Sequence, residues 1–173
     1  TKELTFICYQ ADGTTVDKAR LCTFDGENNH QLLWISDVGH PDVVGVKASL
    51  IGFLFYNGYS STEHGGAMVV NRANVYIESC IFTSNHVVLD AGAAGAVYGN
   101  ECQISFKNVD FINNRADRRG SEVFVRTGAN VFQYCKFIGN TAAVELNQDR
   151  RGTFFRTCQH VVSYSERIIE DTG

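Results

Sequence analysis

The chain has 173 residues, 44% of them hydrophobic and 20% charged, with a formal net charge of −4 at pH 7. That composition belongs to an ordinary globular chain long enough to bury one core. Scattered Lys and Arg give no footprint for nucleic acid, and the longest apolar runs, such as Leu50 to Tyr56, are too short to span a bilayer.

The sequence opens at Thr1 without an initiating Met or a signal-peptide pattern, so a mature or excised segment is expected. Residues 1–50 hold three strand-like runs, Leu4 to Tyr9, Ala19 to Phe24 and Gln31 to Ile35. Turn-rich pieces separate them, and the sole Pro, Pro41, lies in the last of these. An irregular N-terminal coil is expected over 1–50.

A repeat then takes over. An aromatic residue or Leu, two free positions and Asn recur as Leu54…Asn57, Phe82…Asn85, Phe111…Asn114 and Phe137…Asn140. A weaker copy, Phe24…Glu27, precedes them. A period of roughly 20–50 residues is the signature of a solenoid. Five residues before the aromatic position stand Ile77, Phe106, Phe132 and Phe155; four before it stand Glu78, Lys107, Gln133 and Arg156. Apolar and polar columns thus alternate, as in strands with one buried face. Two before it come Cys22, Gly52, Cys80, Val109, Cys135 and Cys158, expected inside. A second strand opens each later unit after a small-residue step, with Met68, Val97, Val123 and Val144 in one column.

Like residues at this spacing are what a single-stranded parallel β-helix requires, because each coil hydrogen-bonds to the next and equivalent side chains stack. An antiparallel sandwich gives no reason for them. The fold expected is therefore all-β: one solenoid domain over 1–173, of about five coils. Regular repeats cover 51–160 and a tail or cap covers 161–173. Phe82, Phe111 and Phe137 would form an internal aromatic stack, and Asn57, Asn85, Asn114 and Asn140 an amide ladder at a turn.

Two tetrapeptides alternate in phase with each other. Gly65-Gly66-Ala67-Met68 precedes Phe82…Asn85, Ala94-Gly95-Ala96-Val97 precedes Phe111…Asn114, and Gly120-Ser121-Glu122-Val123 precedes Phe137…Asn140. This pairing resembles the repeat of the chlamydial polymorphic outer membrane proteins, over about residues 50–160. The resemblance implies a right-handed parallel β-helix outside the cell or on its surface, acting as an adhesin.

Right-handed β-helices also carry polysaccharide lyases and glycoside hydrolases, and the segments between each Asn and the next small-residue step are where such chemistry would sit. They hold Glu63 and His64, then His86 and Asp90, then Arg115, Asp117, Arg118 and Arg119, which stacking would bring to one flank. A lyase needs a base and carboxylates that hold Ca²⁺; a hydrolase needs two carboxylates about a glycosidic bond. Glu63, His64, His86, Asp90, Arg115 and Asp117 are the candidates for that alternative. The polygalacturonase pattern, with a compact Asp-Asp pair and Gly-His-Gly, is absent.

Asp-Arg-Arg-Gly occurs at 117–120 and again at 149–152. Its arginines, Arg118, Arg119, Arg150 and Arg151, suit an anionic glycan or a partner carboxylate. The five His lack ligand spacing and no Cys-x-x-Cys occurs, so neither a metal nor a cofactor is expected. Six Cys favour disulfides in an oxidising compartment. Cys135 and Cys158 share a column at a distance that allows a bridge, but parallel side chains oppose its dihedral, so a ladder of thiols is the alternative.

The leading expectation is an extracellular or cell-surface structural and adhesive module that contacts protein or glycan. The alternative is a polysaccharide-active enzyme on the same fold. The run Leu4-Thr5-Phe6-Ile7-Cys8-Tyr9 starts almost at once as a strand, so a partner protein or further solenoid is expected at the N-terminal edge.

Overall fold

Alternating apolar and polar residues, broken every few positions by Gly, Asn or Ser, give short strands joined by sharp corners. The computed structural model describes residues 3–9, 21–37, 45–88, 93–120, 122–144, 153–156 and 159–161. Every regular element among them is a strand.

The first coil contributes β1 (Glu3–Ile7), β2 (Cys22–Asp25) and β3 (Leu33–Ser36). The next holds β4 (Val46–Ile51), β5 (Phe53–Tyr56), β6 (Tyr59–Ser60) and β7 (Met68–Asn71). It is followed by β8 (Ala73–Glu78), β9 (Ile81–Thr83), β10 (His86–Val87) and β11 (Val97–Asn100). Then come β12 (Cys102–Lys107), β13 (Asp110–Ile112), β14 (Arg115–Arg119) and β15 (Val123–Val125). The chain closes with β16 (Gly128–Gln133), β17 (Lys136–Ile138), β18 (Thr141–Val144), β19 (Thr153–Arg156) and β20 (Gln159–Val161).

Strands in equivalent places pair in parallel and build four sheets along one axis. Two have six strands, β1-β4-β8-β12-β16-β19 and β2-β5-β9-β13-β17-β20. Two have four, β6-β10-β14-β18 and β3-β7-β11-β15. The molecule is thus a parallel β-solenoid of about four turns. The strands of residues 1–50 join these sheets in register, β1 on β4, β2 on β5 and β3 on β7.

The core is a set of ladders. Leu50, Ile77, Phe106 and Phe132 share one inward column. Phe55, Phe82, Phe111 and Phe137 share another, with ring centroids 4.5, 5.4 and 5.2 Å apart and planes within 11° of parallel. Phe106 meets Phe111 edge to face at 5.3 Å, so the two columns interlock. Glu78 and Lys107 stand in register on the outward side, as expected, and form an ion pair at 2.8 Å.

The register corrects three expectations. Phe55, not Leu54, stacks on Phe82, because Leu54 pairs with Ile81. The ladder place of Asn57 is therefore held by Gly58, whose N–H donates to Asn85 Oδ1 at 2.8 Å. By the same shift Phe53, not Gly52, lies beside Cys22 in the inner column. Val144 is displaced for a different reason: β18 pairs with β14, so Val144 meets Arg119 and leaves the Met68, Val97 and Val123 column.

Corners are marked by left-handed backbone on both flanks of the β5-β9-β13-β17 row. Before it stand Gly52, Ser79, Asn108 and Tyr134, and after it Asn57, Ser84, Asn113 and Gly139, all with φ between 52° and 80°. Short polar residues and Gly accept that conformation at least cost. Cys8 and Cys22 form a disulfide with Cα atoms 5.6 Å apart, tying the end of β1 to the start of β2. Cys80, Cys102 and Cys135 are buried. The pairing considered for Cys158 lies outside the described residues.

Candidate functional site

The sequence candidates divide between two sheets. His86 stands in β10, and Arg115 and Asp117 in β14, on the outward side of the β6-β10-β14-β18 sheet. His86 Nε2 lies 3.0 Å from Asp117 Oδ1, and Arg115 Nε donates to the same oxygen at 3.0 Å. The hydrogen bond from His86 is the main cause that holds the Asp117 carboxyl below its ordinary pKa; burial opposes it, and Arg115 adds to the lowering. The Tyr59 ring meets the His86 ring edge-on at 6.1 Å. One carboxylate oxygen thus serves two cationic or donor groups, which knits β10 to β14. Arg118 and Arg119 lie on β14, where only their backbone is described. Asp90, Arg150 and Arg151 lie outside the described residues.

Glu63 and His64 lie elsewhere, in the segment from β6 to β7, over the outward face of the β3-β7-β11-β15 sheet. The Glu63 N–H donates to Ser60 Oγ at 2.9 Å and so sets the turn. Gln31 Nε2 donates to the His64 carbonyl at 2.7 Å and also to the Gly65 carbonyl, anchoring the segment to the first coil. The His64 ring stacks on Tyr98 at 4.3 Å, and its Nδ1 accepts the Ala93 N–H at 3.1 Å. That bond requires an unprotonated Nδ1. Burial lowers the His64 pKa; Glu63 opposes the shift and Arg126 adds to it.

Here the chain has a groove of ≈ 130 Å³, lined by Trp34, Glu63, His64, Val69, Asn71, Tyr98 and Asn100. Sequence reasoning named only Glu63 and His64 among these. The signal for the rest was present: Val69, Tyr98 and Phe124 each follow the recognised Met68, Val97 and Val123 column by one residue. Alternation turns that next column outward, and Trp34 pairs with Val69 at its end.

Among the groove's lining residues Glu63 is the one carboxylate. Hydrolysis of a glycoside calls for two, about 5–10 Å apart. The described members of the set expected for catalysis are thus split between two sheets. Cys102 offers no nucleophile, since burial pushes its thiol up to about 12. Among the described residues, no three His, Cys, Asp or Glu side chains gather as metal ligands do. No described helix is long and apolar enough to cross a membrane. Comparison with family models, with curated proteins and with solved structures finds no match.

Proposed function

We propose that this chain is an extracellular or cell-surface structural or adhesive module, a β-solenoid that joins a larger assembly through protein or glycan contacts. The observation that carries this reading is the end of the solenoid at β1, β2 and β3. Among the described residues, each of these strands is the outermost of its sheet. Leu4, Phe6 and Phe24 occupy inward columns, yet they are 50%, 50% and 40% exposed. Phe6 and Phe24 are paired with Leu50 and Phe55, which are 2% and 0% exposed. An apolar end face with unpaired strand edges is a template for another chain. The occupant that suits it is another protein chain, a second copy of this one included, or further solenoid, offering a strand edge and an apolar face of its own.

The Cys8–Cys22 disulfide supports an oxidising compartment. The likeness to the chlamydial polymorphic outer membrane protein repeat supports a place at a cell surface, and Phe82…Asn85 and Phe111…Asn114 are its best copies.

The test is light scattering on the intact chain over a concentration series, alone and with the Leu4→Lys and Phe6→Lys variants. Association that both variants abolish is expected. A monomer at all concentrations would defeat self-association; failure of the variants to alter capture of any surface partner would defeat the end-face reading altogether.

A further inference from the structure

Two outward columns run side by side on the β3-β7-β11-β15 sheet. One is apolar: Trp34, Val69, Tyr98 and Phe124. The other, two residues further along each strand, holds Ser36, Asn71 and Asn100. Val69, Tyr98 and Phe124 cluster with Ala93 and Ala94 and are at most 8% exposed. Trp34 is 52% exposed. The apolar column therefore ends in a half-bare indole.

Beside it the amides are set in line. Asn100 Nδ2 donates to Asn71 Oδ1 at 3.1 Å. That bond leaves Asn71 Nδ2 as a donor and Asn100 Oδ1 as an acceptor, with no further partner among the described residues. Glu63 adds a carboxylate acceptor at the rim.

A flat apolar surface next to fixed donors and acceptors matches one ligand chemistry closely. The C–H face of a pyranose ring covers an aromatic ring, while its equatorial hydroxyls both donate and accept at the edge. The groove's ≈ 130 Å³ is well below the roughly 300–1,000 Å³ of pockets that engulf a ligand. It takes a ring or two and leaves the rest of a chain in solvent. A bound peptide is less suited, because its main source of affinity on a sheet is an open backbone edge. Of the strands under the groove, β7 and β11 are hydrogen-bonded on both sides, and β3 keeps one edge, at the end of the sheet rather than along the groove. Glu63 is offset by the Arg126 guanidinium near His64 and Tyr98, so the rim carries no excess positive charge to hold an acidic sugar.

We propose that this groove binds a neutral glycan, with Trp34 as the stacking platform and Asn71, Asn100 and Glu63 taking hydroxyl groups. The proposal rests on the adhesive reading above and gives its glycan contact a place and a chemical class. His64 acts through Tyr98: it packs the ring that walls the groove, and it stays uncharged while Ala93 holds its Nδ1.

Trp34 is the only Trp in the sequence, so all tryptophan emission arises at this groove, and calorimetry separates a bound glycan from a change in the first coil. The experiment titrates the intact chain with cellohexaose, chitohexaose and mannohexaose, with hexagalacturonate as the acidic comparison. Emission and calorimetry are both followed. A saturable emission change with at least one neutral hexasaccharide and none with hexagalacturonate is expected. Trp34→Ala and Asn100→Ala should each weaken that binding by about tenfold or more, with unchanged β-sheet circular dichroism. Should Trp34→Ala fail to fold, Asn100→Ala and the emission of the intact chain decide. Silence toward all three neutral sugars, equal response to hexagalacturonate, or undiminished binding by the folded variants would overturn the proposal. So would a saturable response to an extended peptide in their place. Light scattering separates the two readings. Association without any glycan response sinks the groove alone, and glycan binding by a chain that neither associates nor captures a partner sinks the end face alone.

Discussion

Asn114 Oδ1 accepts two hydrogen bonds from Asn85, one from its backbone N–H at 3.1 Å and one from its side-chain amide at 2.9 Å. The Asn114 amide in turn donates to the Phe82 carbonyl at 2.9 Å and to Asn140 Oδ1 at 3.0 Å. Asn85, Asn114 and Asn140 are fully buried. Only a side chain with a donor and an acceptor on one short planar group fills this place, so Asn recurs where the chain must leave a strand.

Asn114→Ala strips one turn of two acceptors and two donors at once. Buried groups left unpaired make this loss roughly 2–4 kcal/mol in a denaturant titration. Asn114→Asp keeps the acceptor but sets an oxygen against the Phe82 carbonyl and Asn140 Oδ1. It should also destabilise, and the loss should shrink as the pH is lowered, because a proton on the oxygen that faces those two acceptors restores a donor and raises the folded-state pKa. An unchanged denaturation midpoint for Asn114→Ala would show that the ladder carries no stability.

The ladder stops at Gly58, and this fixes a second expectation. A Cβ on Gly58 would lie 2.6 Å from the Gly66 carbonyl oxygen, 2.8 Å from Ala67 Cα and 2.8 Å from Asn85 Oδ1. Gly58→Ala should therefore cost about 2 kcal/mol or more, through displaced backbone. Asn57 has φ +53°, and its side-chain amide donates to Asp25 Oδ1 at 3.3 Å on the surface. Asn57→Gly should change stability by less than about 1 kcal/mol. The opposite order in thermal or chemical denaturation would restore Asn57 to the ladder and refute the register.

Those two neighbours also show how far the sequence could be read. Phe82, Phe111 and Phe137 declare their column because each is an isolated aromatic three residues before Asn. At Phe53-Leu54-Phe55 three large apolar residues stand together, and the Asn that fixes the phase has slipped one place before Gly58. Composition then favours Leu54, and only the backbone pairing with Ile81 decides for Phe55. The β6 and β10 strands, two residues each, are too short for any period to emerge. The groove was hidden for another reason. Its walls come from three separate coils and a connecting segment, and Trp34 sits in a part of the chain without the Asn signature. The outward column that ends in Trp34 was legible only as the neighbour of a recognised inward one.

His64 gives the stability a pH dependence of definite sign. Burial, more than any charge, holds its folded-state pKa below 6.5. As the pH falls through that value the unfolded chain takes the proton first, so stability declines until the folded-state pKa is passed. Protonation at Nδ1 also removes the acceptor of the Ala93 N–H. Glu63 and Arg126 face the ring with opposite effects and leave burial dominant. His64→Phe keeps an aromatic ring over Tyr98 and should flatten the slope of denaturation midpoint against pH below 6.5. Asp117 and Glu78 do not blur the result. Their pKa values are held below 3.8 and 4.5, chiefly by hydrogen bonds from His86 and Lys107, so they titrate in a more acid range. An equal slope in wild type and His64→Phe would remove His64 from this role.

The first coil should be the part that lets go. In a solenoid each coil is stabilised by its neighbours, and among the described residues β1, β2 and β3 have a neighbour on one side only. The Cys8–Cys22 bridge, with a sequence separation of 14, ties two of these strands together. Closing a loop of that length removes about 3 kcal/mol of chain entropy from the unfolded coil. Reduction, or Cys22→Ser, should therefore release the first coil without melting the rest. Hydrogen exchange reads this directly. The Cys8 and Gly26 amides, bonded to Ile51 and Tyr56 carbonyls at 2.9 Å each, should lose protection. The Asn108 and Asn114 amides, bonded to the Gln133 carbonyl and Asn140 Oδ1 at 2.8 Å each, should keep theirs. Trp34, carried by β3, should shift its emission to the red in the same step, and association through Leu4 and Phe6 should weaken with it. Cooperative loss of protection at all four amides would mean that the solenoid unfolds as one unit, and no change at Cys8 or Gly26 would mean that the strand pairing holds this coil without its bridge.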